Sequence, residues 1–551
     1  MSEILDLLDL SKRMDEKKAP WLEYWQQVGD IFLPNKADFT RAKREARPRT
    51  DIIYDGTPRL AARGLTTTLE GLQKPKTSHW FSVTLSDREI AEIDEVKLWL
   101  EEVRDRMWQA MYRKNARYIQ ASAEATESLI VFGNGPMWIG ENAKRTGLSF
   151  RAFHMNQCAW EENADANVDR FKIEEQFTAR QAIGKWGEDK LHPKVLEAAR
   201  DEKTSREPFC FVQLILPRED HEAGRYDERG MAFKSCVIDV KHEHKVEEKG
   251  FEEFPVIVRR WETAPGEVYA RGPAMMALPD AKTLQAMGKT LLIAGQKAVD
   301  PPTWAYNDAV LSPIRTFPGG HITLDATAAS QLGGGAPIGV LDMGKNMPLG
   351  LDMQEAVRQM VKSAFFEDVF NLNLDDRKMT ATEILERKDQ FLRTIGPVLG
   401  RLETDDLGAT VERVFNIMYR AGQFPPFPEL PDDIEVKIEF EYMSPVQKAR
   451  KETELASLGR AFEILAPLME IDPGVADNID ADQIVRDLPE AGGIPQKWLR
   501  TKADVEEKRA QRAQQQEAQM AVEAAKPVAG AIKDIASVAM PGGAGGAPAA
   551  L

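Results

Sequence analysis

A segment rich in glycine and proline, placed between two helical patterns, constrains this chain more than any other feature. The spacing of apolar residues predicts one helix over 280–299 and a second over 351–370. The segment between them, 303–348, contains Gly319-Gly320 and Gly333-Gly334-Gly335 and carries only short β-like pieces. The sequence therefore predicts a pair of helices separated by a long irregular insertion.

The residues before this pair predict helices and then a sheet. Short apolar runs separated by turn clusters fill 149–262, whereas helical periodicity dominates the first 132 residues. The predicted elements are helices over 1–34, 58–72, 90–132 and 180–186, strands from 80 to 84 and from 137, and an antiparallel sheet within 149–262. Because the strands are grouped, the predicted fold class is α+β, mainly helical, and not a repeating β-α-β array.

The residues after the pair predict the longest helix of the chain, 380–421. Thr380 and Glu383 form a capping box at its start. Gly396-Pro397 lies inside the pattern, and proline removes a backbone hydrogen bond, so the helix should kink there. Strict alternation of apolar and charged residues predicts a strand over 434–442.

The C-terminal region predicts helices of a more polar kind. Short helices are expected over 447–465 and 481–488. A helix over 500–525 holds few large apolar residues and cannot bury a core alone, so it either packs against copies of itself or stays exposed. The last stretch, 526–551, is rich in Ala, Gly and Pro and is expected to be poorly ordered.

The charge balance limits the partners of the chain. Its 72 Lys and Arg residues against 88 Asp and Glu residues give a net charge of −16, which argues against a protein that clamps nucleic acid by neutralising phosphates. A nucleic acid that slides past is compatible with this balance. The apolar runs are too short to span a membrane, and no secretory signal pattern is seen. A protein without a membrane segment is therefore expected, one that is cytosolic or that assembles from a cytosolic pool.

No motif predicts an enzyme, and neither a cofactor nor a metal is expected. Gly288-Lys289-Thr290 resembles the end of a phosphate-binding loop, but Thr283 stands where that loop needs glycine, and the tripeptide lies inside a helix. His242 and His244 lie in a charged segment without further ligands at metal spacing, which favours solvated polar residues. Three widely spaced cysteines predict buried free thiols in a reducing compartment: Cys158, Cys210 and Cys236.

Four motifs occur in order along the chain. The first, Ile53-Tyr54-Asp55-Gly56-Thr57, is followed by apolar residues at helical spacing and by Trp80-Phe81. The others are Phe132-Gly133-Asn134-Gly135, Val268-Tyr269-Ala270-Arg271-Gly272-Pro273 and Met379-Thr380-Ala381-Thr382-Glu383-Ile384. In this order and spacing, over most of the chain, they resemble the head-to-tail connecting (portal) proteins of short-tailed bacteriophages. Gly56 stands where the family often has Ser. Ala270 stands where the family usually has Gly, which argues against a tight glycine turn before the first helix of the pair.

The resemblance implies a portal fold that assembles as a ring of about twelve copies around a DNA channel. The wing would comprise 1–279, with its β-rich part 149–262, and 380–446, with the long kinked helix. The remaining regions would be the stem helices 280–299 and 349–370, the clip 300–348, the tunnel loop 371–379, the crown 447–500, and a helical barrel or disordered tail 501–551.

The resemblance also implies a function and a set of partners. Proteins of this family are assembled in the host cytoplasm, form a ring at one capsid vertex of the virion, nucleate procapsid assembly, and dock the terminase large subunit and a tail adaptor. Double-stranded DNA passes through the channel in packaging and ejection, and the major capsid and scaffolding proteins are further partners. The docking surface of the clip would include Trp304, Tyr306, Arg315, Phe317 and His321.

The tunnel loop would present five polar residues to the DNA: Asn373, Asp375, Asp376, Arg377 and Lys378. An acidic channel repels phosphates and keeps a duplex moving, so a mostly negative channel is expected. Arg377 and Lys378 are the candidates for transient phosphate contacts. Alternatively, they pair with Asp375 and Asp376 in an exposed turn, an arrangement that we favour over a catalytic or metal-binding carboxylate pair.

Two other functions stay open at this point. A nucleotide-driven DNA-packaging enzyme would need a phosphate-binding loop and a catalytic acid after a strand, and the sequence shows neither pattern. A helical scaffold or adaptor without a channel would form no rings with a central hole.

Overall fold

The computed structural model describes residues 2–41, 50–91, 93–142, 146–201, 204–222, 224–225, 227–305, 312–313, 322–323, 338–340, 347–367, 396, 400–428, 437–442, 461, 500 and 504–517. Helix predominates over sheet in this part of the chain, which confirms a mixed, mainly helical fold. The chain divides into two compact units, one from 1–82, 105–424 and 442–444, the other from 83–104, 425–441 and 445–551.

Helices build most of the first 132 residues. They are α1 (Ser2–Phe32), α2 (Thr57–Gln73), α3 (Arg88–Ala91), α4 (Asp94–Tyr112) and α5 (Tyr118–Phe132). The prediction of one helix over 90–132 is therefore wrong. The chain turns at 113–117, where the Ala116 amide donates to the Arg113 carbonyl and Arg117 takes a left-handed conformation with φ 60°, which an α-helix cannot continue.

The strands form four sheets among the described residues. Two-stranded sheets pair β1 (Phe81–Leu85) with β12 (Ile438–Tyr442) and β10 (Thr303–Ala305) with β11 (Ile338–Val340). The other two sheets are β3-β2-β9 and the meander β4-β5-β6-β7-β8; their strands are β2 (Asn134–Glu141), β3 (Leu148–Ala152), β4 (Cys158–Glu162), β5 (Val168–Thr178), β6 (Pro208–Pro217), β7 (Phe233–Asp239), β8 (His244–Phe251) and β9 (Val256–Arg260).

All pairings within these two larger sheets are antiparallel, so the prediction of an antiparallel sheet with hairpins over 149–262 is confirmed. The strand predicted from Met137 begins three residues earlier, at Asn134. Two helices lie between β5 and β6: the predicted one, α6 (Ala179–Trp186), and α7 (Pro193–Arg200), which was not predicted. With eight residues, α7 is too short to show a helical period clearly.

Aromatic side chains fill the core of the first unit. Trp25 and Phe32 of α1, Phe132 of α5, Trp160 of β4 and Tyr269 all expose 2% or less of their surface. The N-terminal half of α1 packs Leu7, Leu8 and Met14 against β4, β6 and β7. Helix α1 therefore joins the five-stranded sheet to the helical core.

The predicted helix pair is present, with altered limits. Helix α8 (Pro273–Met276) precedes α9 (Leu278–Val299), and α10 (Met347–Ala364) is the second member of the pair. Helix α10 begins four residues before the predicted Leu351, because Pro348 fits the first turn, where its missing N–H is not needed. It ends at Ala364 and not at Phe370, since Phe366 has a φ of 57°.

Beyond the pair, the described residues include 400–402 in helix, a π-helical segment (Glu403–Gly408) and α11 (Ala409–Arg420). The helix predicted over 380–421 is thus confirmed in its last part, without the π-helical turn. Residues 504–517 are helical and almost wholly exposed, as the polar pattern predicts. Other predictions lie outside the described residues: the Thr380/Glu383 capping box, Pro397, the strand residues before 437, the helix over 447–465 apart from the helical residue 461, and the helix over 481–488. None of the described helices has the length and apolar content to cross a membrane.

Candidate functional site

The loop before α2 is held by a carboxylate. Asp55 Oδ1 accepts hydrogen bonds from the Thr57 amide at 2.9 Å and from Thr57 Oγ1 at 2.6 Å. These bonds satisfy one of the amides that a helix start leaves without an internal partner. The Ile53–Thr57 motif therefore forms the start of α2, with Gly56 as the N-cap residue and the Asp55 carboxylate on the amide of the first helical residue.

The same loop binds both members of the helix pair. Gln285 of α9 accepts from the amides of Tyr54 and Asp55 at 2.6 and 2.9 Å, and its Nε2 donates to the Asp55 carbonyl at 2.8 Å. From α10, Arg358 Nε donates to Asp55 Oδ2 at 2.8 Å and Gln354 Nε2 at 3.2 Å. One buried loop residue thus joins α2, α9 and α10.

The Asp55 carboxylate is ionised in this setting. Burial opposes the charge, but the hydrogen bonds from Thr57 and Arg358 outweigh burial and lower the pKa of Asp55 below its ordinary value. The sequence shows Asp55 as part of a motif but does not predict its three partners on the helix pair. The available signal was the occurrence of Gln285, Gln354 and Arg358 on the inner faces of otherwise amphipathic helices.

The helices α9 and α10 are antiparallel and in close contact. A Cβ atom added at Gly288 would lie 3.1 Å from the Tyr54 Cβ and 3.5 Å from Gln354 Nε2, and one added at Gly350 would overlap Leu291. Residue 288 of α9 therefore contacts residue 354 of α10, and residue 291 contacts residue 350. Because one number rises as the other falls, the two helices run antiparallel. Gly288-Lys289-Thr290 serves this packing inside α9, which explains the resemblance to a phosphate-binding loop without a nucleotide site.

Among the described residues, one end of the pair belongs to the core. Leu278, Ala281 and Leu284 of α9 and Val361 and Phe365 of α10 belong to the core of the first unit. Toward the ends nearer β10 and β11, by contrast, large apolar side chains are exposed. These are Leu292 (55%), Ile293 (42%), Val299 (89%), Leu349 (62%), Leu351 (52%) and Met353 (55%), with Met360 (58%) further along α10. Contiguous exposed apolar groups at this density are uncommon on a single soluble chain.

Two further motifs meet at a buried backbone contact. Helix α5 ends at Phe132, and Gly133 follows it as the C-cap residue. The side chain of the next residue, Asn134, accepts from the Ala270 amide at 3.0 Å and donates to the Ala270 carbonyl at 3.1 Å. Gly272 passes the Leu129 and Ile130 carbonyls so closely that a Cβ would lie 2.6 Å from the latter. Ala270 itself has no positive φ, so the turn before α8 does not need glycine at that position.

A buried ionic cluster lies in the same unit. Asp406 of the π-helical segment contacts Lys74 Nζ at 2.5 Å and Arg259 Nε at 2.8 Å, and all three side chains are 2% exposed or less. Glu70 adds a second carboxylate, 3.6 Å from Lys74 and 4.0 Å from Arg259. Two cations and two anions therefore connect α2, β9 and the π-helical segment.

The predicted site residues fall mostly outside the described part of the chain: Tyr306, Arg315, Phe317, His321, Asn373, Asp375, Asp376, Arg377 and Lys378. Trp304 lies in β10, opposite Gly339 of β11, and is 40% exposed. A Cβ at Gly339 would overlap the Trp304 ring, so the indole covers this glycine. Its assignment to a docking surface stays a prediction.

The histidine prediction is wrong for His242. Its side chain is 7% exposed, and its Nδ1 lies 2.7 Å from Oδ2 of Asp239, which is 1% exposed. The turn after β7 brings the imidazole back onto this carboxylate and against His192, whose ring stacks on it at 4.6 Å. No group of three or more His, Cys, Asp or Glu residues in the described chain has the arrangement of a metal site.

The cysteines are free thiols, as predicted, with one difference in burial. Cys158 and Cys236 are buried, whereas Cys210 is half-buried. Burial raises the pKa of Cys158 and of Cys210 to about 12 and that of Cys236 to about 11. All three are consequently poor nucleophiles near neutral pH.

Replacing Asp55 with asparagine should lower the free energy of unfolding by about 2 kcal/mol, since Arg358 loses its charged partner and the cap of α2 weakens. Because the folded pKa is lowered, this contribution is complete above the unfolded value of about 3.9 and is lost as pH falls through the folded pKa. Urea unfolding of both proteins between pH 3 and 7 checks this. A difference that does not shrink at the acid end would contradict it.

Comparison with known proteins gives consistent results. The family described as "Bacteriophage head to tail connecting protein" matches residues 6–499. The portal protein of Salmonella phage epsilon15 is 27% identical over 525 residues, 94% of this chain and 92% of the relative. The probable portal protein of Bordetella phage BPP-1 is 27% identical over 527 residues, 93% of this chain and 91% of the relative. A chain from the virion of a native gene transfer agent particle aligns with 80% of this chain and 89% of its own, at 10% identity and a TM-score of 0.35, which is too low to assign a fold.

Proposed function

The chain belongs to the bacteriophage head to tail connecting protein family, and on that premise we propose that it is the portal of a short-tailed phage. In this proposal, about twelve copies form a ring at one capsid vertex. The ring nucleates procapsid assembly, and DNA passes through its centre during packaging and ejection. The relatives named as portal proteins, each matched over more than nine-tenths of this chain, support the proposal.

The helix pair is the observation that carries it. Seven large apolar side chains of α9 and α10 are more than 40% exposed in the single chain. Burying such a side chain is worth about 1.5–3 kcal/mol, so a monomer forgoes a large stabilisation that an assembly would recover. The pair also projects this surface from a rooted end, which suits contacts with neighbouring copies.

The regions keep the assignments that the resemblance implies. We assign α9 and α10 to the stem, and 300–348 to the clip that docks the terminase large subunit and later the tail adaptor. Trp304, at the base of the clip, is the described member of that docking surface. The tunnel loop, 371–379, would meet the DNA, with Arg377 and Lys378 as candidate phosphate contacts.

The chain does no chemistry of its own in this proposal. Gly288-Lys289-Thr290 lies within α9 and packs on Tyr54, so its amides are used by the helix. The energy for packaging would come from the partner ATPase. The proposal excludes a nucleotide-driven packaging enzyme, and purified protein should therefore hydrolyse no ATP above the rate of a buffer control.

The direct test is the assembly state. We expect purified protein to elute as a large oligomer in size-exclusion chromatography with light scattering, and to show rings with a central hole in negative-stain images. Replacing Leu292 and Met353 together with glutamate should shift this equilibrium toward the monomer, whereas Thr290→Glu, at an exposed polar position about 160° around α9 from Leu292, should not. A native protein that stays monomeric at high concentration would overturn the proposal.

A further inference from the structure

We propose that the helix pair joins neighbouring copies head to tail, with the Tyr54–Leu292 face of one copy against the α10 face of the next. This inference rests on the proposed ring and names the surfaces that build it. A contact between two different faces propagates in one direction and closes into a ring when the rotation permits. A contact between identical faces would stop at a dimer.

Helix α10 carries an apolar stripe along its exposed side. Leu349, Met353, Ala356 and Met360 are all exposed and are separated by four, three and four residues. This is the spacing of the contact positions in a coiled coil, where side chains three and four apart lie on one face. We name these four residues the α10 stripe.

The opposite apolar surface involves α9 and the loop before α2. Gln285 and Gly288 of α9 face the Tyr54–Asp55 backbone, and Leu292 and Val299 continue the same helical stripe at seven-residue spacing from Gln285. Tyr54, which is 39% exposed, packs its Cβ over Gly288, and Leu292 and Val299 are more than half exposed. We name Tyr54, Leu292 and Val299 the α9 stripe.

The two stripes lie on opposite sides of the pair. Gln354 and Arg358 of α10 point to Asp55, on the side of the α9 stripe. At 100° per residue, the α10 stripe lies more than about 100° around the helix from Gln354 and Arg358. Each copy therefore presents one apolar face on each side, and neither face can cover the other within the same chain.

The stripes match in height and in charge. Because Gly288 faces Gln354 and Leu291 faces Gly350, Leu292 is level with Leu349, and Tyr54 is level with Met353. Rotation about an axis along the pair keeps these levels, so Leu349 would meet Leu292 and Met353 would meet the Tyr54 ring of the next copy. Met sulfur against an aromatic ring is a favourable contact. Exposed Lys289, which lies over Tyr54, would approach exposed Asp352 beside Met353.

Cysteine cross-linking tests this arrangement. Leu292→Cys and Leu349→Cys chains are co-expressed, purified as rings, and treated with a short bismaleimide. Tyr54→Cys with Met353→Cys is the second pair. The native thiols have raised pKa values, and the parent protein treated with the same bismaleimide controls for them. The matched control is Leu349→Cys with Met353→Cys, which places both thiols on one face.

We expect cross-linked dimer as the main product of both opposite-face mixtures and none above background from the same-face mixture. A chain with Leu292→Cys and Leu349→Cys together should give a ladder that extends to the full ring. Negative-stain images of the same samples separate the outcomes. Rings that cross-link only in the same-face mixture, or in none, would overturn this inference and leave the portal function standing. Absence of rings from the parent protein would overturn the proposed function, and this inference with it.

Discussion

Replacing Asp406 with alanine is expected to lower the free energy of unfolding by about 4 kcal/mol, because it strands two buried cations. Lys74 and Arg259 are 2% and 0% exposed at their side chains, and both contact the Asp406 carboxylate. Glu70 would be the remaining carboxylate near them, at 3.6 and 4.0 Å, beside the neutral hydrogen-bond acceptors of Ser122 and Thr126. Urea unfolding followed by circular dichroism measures the loss. A change below about 1 kcal/mol would show that the cluster relaxes freely and would contradict this account.

Two variants separate charge from shape at this position. Asp406→Asn keeps an oxygen for hydrogen bonding but removes the charge, so it should fall between the native protein and Asp406→Ala. Combining Asp406→Leu with Lys74→Met replaces an ion pair with apolar groups, which is often tolerated in a protein interior. This double variant should therefore be more stable than Asp406→Ala, although it changes one residue more.

Replacing Gly133 with alanine should cost about 3 kcal/mol or more, through two additive effects. Gly133 has a φ of 77°, which L residues avoid, and its Cβ would overlap the Ala270 carbonyl group and lie 2.8 Å from the Arg271 carbonyl carbon. These neighbours are backbone atoms of the turn before α8 and cannot rotate away. The thermal midpoint should fall accordingly, and soluble expression should drop.

Other glycines of the chain provide the controls. Gly422 follows α11 with a φ of 62° and has no atom within 4 Å of an added Cβ, so Gly422→Ala isolates the backbone strain and should cost about 1 kcal/mol. Gly64 lies inside α2 with no positive φ and equally open surroundings, so Gly64→Ala should not destabilise the protein. If Gly133→Ala were no worse than Gly422→Ala, the close approach to Ala270 would not limit stability.

The sequence predicts the helices and strands of this fold better than the breaks and irregular turns within and between them. Helices α1, α2 and α9 and the antiparallel sheets follow from periodicity, because each buries one regular face. The break at Arg117 and the π-helical turn at Asp406 do not, because tertiary contacts hold them against local preference. Asp406 gains its position from Lys74 and Arg259, residues far away in the sequence, and no spacing rule connects them.

The candidate site shows the same division. Two helices around a glycine-rich insertion are visible in the sequence, and so is their excess of apolar residues. The role of Asp55 is not, because its partners Gln285 and Arg358 come within reach only once the antiparallel pair has formed. Likewise, the charged segment around His242 predicts a surface residue. Its burial against Asp239 follows only from the turn after β7.

Asp55 is a point at which force on the helix pair is transmitted to the core of the first unit. A force applied at the end of the pair nearer β10 and β11 is transmitted along α9 and α10. It reaches the core of the first unit partly through the hydrogen bonds of Gln285, Gln354 and Arg358 to the loop before α2. Most of these bonds meet at Asp55, so a twist of the pair loads several of them at once. As the load rises, we expect the hydrogen bonds between the pair and the loop before α2 to break within a narrow range of force, while α9 and α10 stay helical.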